Sequence, residues 1–398
     1  MKSIREIYKT GIGPSSSHTM GPVRAAQLFR NENPDADAFR VTLYGSLAKT
    51  GRGHGTDKAL INALFPKRTE IISDVLTTEI PHENTIDFVA LKKGVISARM
   101  RVLSIGGGDI KIEGRPSVVS ESVYPHSTFR EIAEYCKMQN MRLSDYVFMH
   151  EGEEILAFLA DVWHTMKAAI DSGLRKSGIL PGGLQLERKA QFLYNQRHID
   201  ESESTRENRI VCAYAFAVSE ENADGGTIVT APTCGACGVM PAVLKYVSEK
   251  RRVGEEDILR ALAVGGLIGC IIKTNASISG AECGCQAEIG SACAMASAAL
   301  CELLDMGIAQ IECAAEVALE HYLGLTCDPV RGLVQIPCIE RNAVAAMRAI
   351  NSLSIANFLS GTRKISFDLV VRTMYETGKD LLCKYRETAE GGLAKNYE

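Results

Sequence analysis

The chain's 398 residues are enough for two or three domains with separate cores. A net charge of −4, with acidic and basic residues mixed along the chain, excludes a basic face for a phosphate backbone, so we expect no nucleic-acid partner. The longest apolar stretch falls short of the roughly 20 residues that span a bilayer, and the N-terminal residues lack a secretory signal pattern. We therefore expect a cytoplasmic protein with no membrane partner.

The first 120 residues have the pattern of a mixed α/β domain. RAAQLFRN (24–31) and GTDKALINALF (55–65) have the apolar spacing of helices, and the second has an aspartate in its first turn. AFRVTLYGSL (38–47) and ARMRVLSIGGGDIKIEG (98–114) contain alternating β-branched residues and glycine stops, as strands do. These elements predict a small sheet covered by helices.

From about residue 126, helical patterns dominate. One of them, GSACAMASAALCELLDMG (290–307), is rich in Ala, Leu and Met and has little polar face. A helix that is apolar all round belongs in a core. The predicted fold class is therefore α+β, with a small N-terminal α/β domain (1–120), a helical connection (121–158) and a large all-α domain (159–398) around a buried central helix.

The thirteen cysteines are unusually many, and a reducing cytosol would keep them as thiols or metal ligands. Taken singly, each is best interpreted as a small buried hydrophobe. Cys234 and Cys237 form a C-x-x-C pair that lacks the context of a thioredoxin or zinc site. Cys327 and Cys338 enclose the segment CDPVRGLVQIPC, and generic ferredoxin spacings do not occur among the cysteines of the second half.

Two polar turns come before helical patterns in the N-terminal part. They are GPSSSHTMGP, which contains Ser15, Ser16, Ser17, His18 and Thr19, and GRGHGTD, which contains His54. Hydroxyls and an imidazole at a helix N-terminus suit an anion such as a carboxylate. A plain helix cap with spare serines would give the same pattern.

Two polar segments interrupt the apolar helices of the second half. TAPTCGACGVMPAV contains Thr233 at a predicted helix start, and KTNASISGAECGCQAE contains Lys273, Asn275, Ser279 and Cys285. Such a density of polar side chains between apolar helices indicates a buried site.

Three of these segments together resemble the signatures of a known family. GPSSSHTMGP, TAPTCGACGVMPAV and NASISGAECGCQAEIGSA are similar to those of the iron-sulfur-dependent L-serine dehydratases (L-serine ammonia-lyases), in a single-chain form with fused β and α domains. The resemblance implies a lyase that converts L-serine to pyruvate and ammonia. It makes the helical domain the catalytic one.

The resemblance also implies a [4Fe-4S] cluster. The family's spacing of cluster cysteines, C-x(41)-C-x(10)-C, is reproduced by Cys285, Cys327 and Cys338. Three thiolates leave one iron open to act as a Lewis acid on the substrate hydroxyl. Some single-chain members place a C-terminal cysteine on that iron, whereas this sequence ends GGLAKNYE, so the fourth ligand is left open.

Further roles are implied where the motifs match. The catalytic candidates are His18, His54, Ser16 and Lys273. The substrate-binding candidates are Ser15, Ser17, Thr19, Thr233, Asn275 and Ser279. The general base stays open between His18, His54 and a serine alkoxide, and Arg331 is left to balance the cluster's charge or to bind the substrate carboxylate.

Alternatives remain at this stage. A pyridoxal-phosphate dehydratase would use SIGGGD as a phosphate loop and Lys273 as its Schiff-base lysine, and a non-catalytic iron-sulfur scaffold or redox sensor would need no anion pocket. L-Threonine or L-cysteine are further possible substrates, because one methyl group is worth only about 1 to 3 kcal/mol of discrimination. We also expect a homodimer and sensitivity to oxygen.

Overall fold

A five-stranded sheet forms the N-terminal part of the protein. The computed structural model describes residues 1–115, 122–197 and 201–397. The strands are β1 (Thr10–Ile12), β2 (Ala38–Tyr44), β3 (Arg68–Asp74), β4 (Thr85–Lys92), β5 (Val95–Gly106), β6 (Asp109–Ile112) and β7 (Thr227–Val229). The sheet order is β3-β2-β4-β5-β6, in which β2 and β3 are parallel and the other neighbours are antiparallel.

Alternation along the strands directs one face of this sheet onto a small core. In β2 the side chains of Phe39, Val41 and Leu43 are buried while those between them are more exposed. Val41 lies opposite Phe88 of β4, whose ring packs 5.5 Å from that of Phe29. Burying such side chains stabilises the fold by about 1.5 to 3 kcal/mol each. A shift of one residue would move all of them to the other face of the sheet, so their alternation specifies the register of the strand.

Sixteen helices are formed by the described residues. They are α1 (Gly21–Glu32), α2 (Gly45–Thr50), α3 (Thr56–Leu64), α4 (Phe129–Gln139), α5 (Leu143–Glu151), α6 (Glu154–Arg175), α7 (Ala190–Asn195), α8 (Glu203–Ala223), α9 (Val239–Arg251), α10 (Glu255–Asn275), α11 (Gly280–Cys283), α12 (Ile289–Leu303), α13 (Ile308–Glu320), α14 (Cys338–Leu359), α15 (Phe367–Asp380) and α16 (Gly392–Asn396). Within this part of the chain, none of them has the length and apolarity to cross a bilayer.

The helical body is built around α12. Every residue of this helix is buried, and it packs against α9, α10, α13 and α14. The neighbouring helices pack closely against it. At Gly269 of α10, for example, an added Cβ would lie 3.0 Å from the sulfur of Met295 in α12. The predicted α+β class with a buried central helix is confirmed.

The N-terminal segment joins the two parts of the fold. Ile4, Ile7 and Tyr8 are buried in the core of the helical body, and the Tyr8 hydroxyl donates to the Leu262 carbonyl of α10 at 2.9 Å. β1 then pairs antiparallel with β7, a short strand between α8 and α9. The helical body therefore contains one strand that the sequence did not predict. The predicted domain limits at 120 and 158 stay predictions, and the first of them lies outside the described residues.

The elements predicted in the N-terminal part are present. The two helical patterns correspond to α1 and α3, and the strand pattern at 38–47 corresponds to β2 followed by α2. The long pattern at 98–114 is a hairpin of β5 and β6, because Gly106, Gly107 and Gly108 adopt positive φ angles at its turn.

A glycine contact between two long helices gives a test of the packing. In α6, an added Cβ at Gly173 would lie 2.2 Å from the Ala217 carbonyl oxygen of α8. We expect Gly173→Ala to destabilise the protein by about 1 to 3 kcal/mol, because overpacking outweighs the helix propensity that alanine gains. Denaturant midpoints would measure this against Gly361→Ala, where nothing lies within 4 Å. Equal midpoints for the two variants would contradict the close packing of α6 on α8.

Candidate active site

A cavity where the sheet-bearing part meets the helical body is lined by thiol, imidazole, hydroxyl and carboxyl groups. Its lining includes the three thiols of Cys285, Cys327 and Cys338. It also includes Ser15 and His54 from the N-terminal part and the carboxyl groups of Glu288 and Glu387. The structure thus brings residues from distant parts of the sequence into one site.

Each cysteine is presented by a turn or by the start of a helix. Cys285 begins a single 3-10 turn just before α12, and Cys338 is the first residue of α14. Cys327 lies in the loop after α13, which closes on itself when the Val330 N–H donates to the Ile336 carbonyl at 2.9 Å. A helix N-terminus favours a nearby negative charge, and thiolates are the metal-binding form of cysteine.

Arg341 supplies positive charge beside the thiols. Its guanidinium is largely buried and donates to the Thr326 carbonyl at 2.8 Å and to Asp328 Oδ1 at 2.9 Å. The interpretation that Arg331 balances charge here is not favoured, since its side chain points away and donates to the Gly183 carbonyl at 3.4 Å. The sequence offered a signal for Arg341 that was missed: it lies three residues after Cys338, on the same face of α14.

The three thiols have unequal acidities. The neighbouring Cys327 thiol, together with the Arg341 charge, lowers the pKa of Cys285. The neighbouring Cys285 and burial raise the pKa of Cys327, and burial raises that of Cys338. Of the three thiols, Cys285 is therefore the one most easily ionised. Three thiols around one cavity are a soft donor set that suits an iron-sulfur cluster.

Two imidazoles from the polar turns stack beside the thiols, with ring centroids 4.3 Å apart. The Nδ1 of His54 lies 3.0 Å from the Thr50 carbonyl, which only accepts, so this nitrogen carries the proton. The Nε2 of His54 therefore carries a lone pair, and it is buried and has no hydrogen-bond partner among the described residues. Burial lowers the pKa of His54 to about 4, which keeps the ring neutral near neutral pH.

Both ring nitrogens of His18 are already engaged. The Ser46 hydroxyl donates to the Glu387 carbonyl at 2.8 Å, so it accepts from His18 Nε2 at 3.0 Å. The Ser17 hydroxyl then donates to His18 Nδ1 at 2.9 Å. Burial and the neighbouring His54 lower the pKa of His18 well below its usual value. His18 is thus a neutral ring held in place.

Glu387 enters the site from the C-terminal segment. Its N–H donates to the Cys327 carbonyl, and the Cys327 N–H donates to the Tyr385 carbonyl, both at 2.8 Å. Its Oε1 lies 3.5 Å from His18 Nδ1 and 3.8 Å from His54 Nε2. Burial and the nearby Cys285 raise the pKa of Glu387. Sequence analysis did not find this residue, because only the pairing of two distant segments places it here.

Close backbone contacts fix the two halves of the site against each other. At Gly53, beside His54, an added Cβ would lie 2.5 Å from the Gly332 carbonyl oxygen in the cysteine loop. At Gly106, in the β5–β6 turn, it would lie 3.0 Å from the Ser279 Cβ. Side chains larger than hydrogen would separate the imidazoles from the thiols, which explains the glycines of both turns.

Two family models match the chain: the serine dehydratase beta chain over residues 3–73 and the serine dehydratase alpha chain over residues 67–394. The second match alone covers more than half of the chain. The chain belongs to the serine dehydratase family. The resemblance recognised in the three sequence motifs is confirmed, with both family regions in one polypeptide.

Relatives in this family match along their whole length. L-serine dehydratase 2 of Escherichia coli K12 is 41% identical over 448 aligned positions, which cover 99% of this chain and 98% of that protein. The L-serine dehydratase of Haemophilus influenzae is 41% identical over 449 positions, covering 99% of each. That of Helicobacter pylori is 35% identical over 449 positions, covering 99% of this chain and 98% of that protein.

Of the proposed hydroxyl residues, those of the first polar turn lie beside the imidazoles, whereas Thr233 and Ser279 belong to the helical body. Ser15 caps the π turn Ser16–Met20 by accepting from the His18 N–H at 3.1 Å, and Ser16 is buried in that turn. The Thr19 hydroxyl donates to the His54 carbonyl at 2.9 Å. The hydroxyls of Thr233 and Ser279 are buried and, among the described residues, have no hydrogen-bond partner.

Two proposed residues of this serine dehydratase lie elsewhere. Lys273 forms ion pairs with Asp109 at 2.5 Å and with Glu6 at 3.3 Å, beside Lys9, where the N-terminal segment meets α10. Asn275 donates from the end of α10 to the carbonyls of Ser127 and Ile271. Both side chains already have partners, which indicates that they hold segments together rather than contact a substrate.

Proposed function

We propose that this protein converts L-serine to pyruvate and ammonia in the cavity where Cys285, Cys327 and Cys338 meet His54. The observation that carries the proposal is this single cavity, which joins a metal-binding thiol set to an unpartnered basic nitrogen. The name L-serine dehydratase carried by relatives that match from end to end supports it.

The residues of the cavity fit a [4Fe-4S] cluster. Three sulfur donors line the cavity, Arg341 offsets negative charge beside them, and Gly280 leaves space where an added Cβ would lie 3.1 Å from the Cys327 sulfur. A cluster bound through these three thiolates would supply a Lewis acid that assists departure of the substrate's 3-hydroxyl.

His54 is the base in this proposal. Its Nε2 takes the proton from the serine Cα, and the electron pair of the Cα–H bond forms the Cα=Cβ bond as the hydroxyl leaves Cβ. The proton passes from His54 to the departing hydroxyl, so water is released. Aminoacrylate remains, tautomerises to the imine and is hydrolysed to pyruvate and ammonia. His18 cannot act first, because Ser17 already occupies its lone pair.

The hydroxyl groups would orient the substrate carboxylate. The hydroxyl oxygens of Ser15 and Ser17 lie 3.4 Å apart on the side of the imidazoles. In the helical body, Thr233 and Ser279 have buried hydroxyls without a hydrogen-bond partner among the described residues. A buried hydroxyl without a hydrogen-bond partner is unfavourable, and a bound carboxylate would remove this cost by accepting its hydrogen bond. We propose these four as carboxylate contacts, with Thr19 fixing the position of His54.

All thirteen cysteines lie in the described residues and are free thiols. Free thiols throughout a chain are typical of a reducing compartment, which supports the proposed cytoplasmic location. Sensitivity to oxygen is proposed because three thiolates would leave one iron of the cluster exposed. The predicted homodimer stays a prediction.

The direct test is turnover by anaerobically purified protein. With L-serine we expect pyruvate and ammonia in equal amounts without added pyridoxal phosphate, and loss of this activity after exposure to air. L-Threonine and L-cysteine, assayed in parallel, would define the substrate, with about 10- to 200-fold discrimination expected for the extra methyl of threonine. Absence of pyruvate from protein with full iron and sulfide content would overturn the proposal.

A further inference from the structure

The cavity contains acceptors that face one another without a donor. Oε2 of Glu387 and Nε2 of His54 are buried and, in the described part of the chain, have no hydrogen-bond partner. Oε1 of Glu387 lies 3.5 Å from His18 Nδ1, which already accepts from Ser17, and 3.8 Å from His54 Nε2. A ligand that brings N–H donors would satisfy the free acceptors of Glu387 and His54.

The position of Glu387 is fixed from both halves of the site. Its N–H is bound to the Cys327 carbonyl, and its own carbonyl accepts from the Ser46 hydroxyl. Its backbone adopts a φ of 58°, which a residue other than glycine rarely does and which costs free energy. The fold therefore holds this one carboxyl group at the cavity despite a local cost.

Carboxyl groups at the cavity outnumber its cationic groups. Glu288 lines the same space and lies next to Gly280, where an added Cβ would be 2.9 Å from its Oε2. Arg341 is directed at the thiols and is already bound to Asp328 and the Thr326 carbonyl. Burial raises the pKa of both Glu288 and Glu387, so a bound cation with donors, which stabilises the carboxylate form, fits this position better than water alone.

We propose that Glu387, supported by Glu288, receives the α-ammonium group of the amino-acid substrate. This inference rests on the proposed function and adds the group by which the site distinguishes an amino acid from the corresponding acid without nitrogen. The ammonium group provides three donors and one positive charge. Its attachment to Cα brings the Cα proton close to His54 Nε2, so the same contact positions the reaction.

Glu387→Gln, which keeps the size and removes the charge, tests the assignment. Calorimetry on anaerobic, cluster-loaded protein would compare L-alanine with propionate, an unreactive pair that differ only by the ammonium group. We expect the variant to bind L-alanine about 10- to 100-fold more weakly, the effect of losing a charge-assisted hydrogen bond, and to bind propionate as well as the wild type does. The KM for L-serine should rise by a similar factor.

Glu390→Gln is the matched control, because Glu390 lies in the same segment, half exposed, and pairs with Lys49 at 2.9 Å. It should leave both affinities unchanged. Equal weakening of L-alanine and propionate in Glu387→Gln, or no weakening of either, would overturn the assignment. So would zinc or manganese retained in stoichiometric amount by the wild type and lost in the variant, since His18, His54 and Glu387 would then be metal ligands.

Failure of this inference is distinguishable from failure of the proposed function. If the wild type binds L-alanine more tightly than propionate but forms no pyruvate from L-serine, the ammonium site stands and the proposed reaction is wrong. If the wild type forms pyruvate but Glu387→Gln binds L-alanine and propionate equally weakly, the proposed reaction stands and the ammonium site is wrong.

Discussion

His54→Asn is expected to lower kcat for L-serine by about 10²- to 10⁴-fold, the usual contribution of a positioned general base. Asparagine can replace the bond from Nδ1 to the Thr50 carbonyl through its own amide N–H, and it removes only the basic nitrogen. The fold and the thiols should therefore be unaffected. Measurements of kcat, of iron and sulfide content, and of Cα proton exchange into deuterated water would show whether proton removal alone is lost.

His18→Asn provides the comparison. His18 is bound by Ser17 and Ser46 and stacks on His54, so its loss should disturb position rather than abolish proton removal. We expect a smaller fall in kcat than for His54→Asn, with Cα exchange still detectable. The opposite order, with exchange lost in His18→Asn and kept in His54→Asn, would transfer the role of base to His18.

Local sequence patterns predicted the elements well where burial has a period. The alternation of Phe39, Val41 and Leu43 predicted β2, and the apolar composition of residues 290–307 predicted the buried central helix. These signals survive because the hydrophobic effect acts on each side chain separately. The strands β1, β3, β4 and β7 were not predicted, and β1 and β7 are only three residues long and depend on pairing with each other.

The site was less predictable than the fold. No local rule joins Cys285 to Cys327 and Cys338, and their spacing acquired meaning only through the family resemblance. Glu387 depends on a pairing between segments far apart in sequence, for which a single sequence has no signal. The density of polar residues around Lys273 was interpreted as catalytic, but the same density serves an ion-pair cluster with Asp109. Composition indicates that a segment is buried, but it does not indicate which neighbour each side chain contacts.

Removal of any one of the three cysteines proposed to hold the cluster is expected to have the largest effect on the protein. Cys285→Ala, Cys327→Ala and Cys338→Ala should each lose most of their iron and acid-labile sulfide and form no pyruvate above background, because two thiolates do not retain the cluster that three would hold. The thiols share one cavity and one guanidinium, so the three losses should be alike and not graded.

Cys301→Ala separates a ligand effect from the cost of deleting a buried thiol. Cys301 is fully buried in α12, and its sulfur faces the Gln310 carbonyl, away from the cavity. We expect this variant to lose some stability, as removal of a buried side chain does, and to keep the cluster and the activity. Iron and sulfide analysis, absorbance spectra and circular dichroism on anaerobic protein would measure all four variants together. A full cluster in any of the three cavity variants would remove that cysteine from the ligand set, and cluster loss in Cys301→Ala as well would show that the assay reports packing instead of ligation.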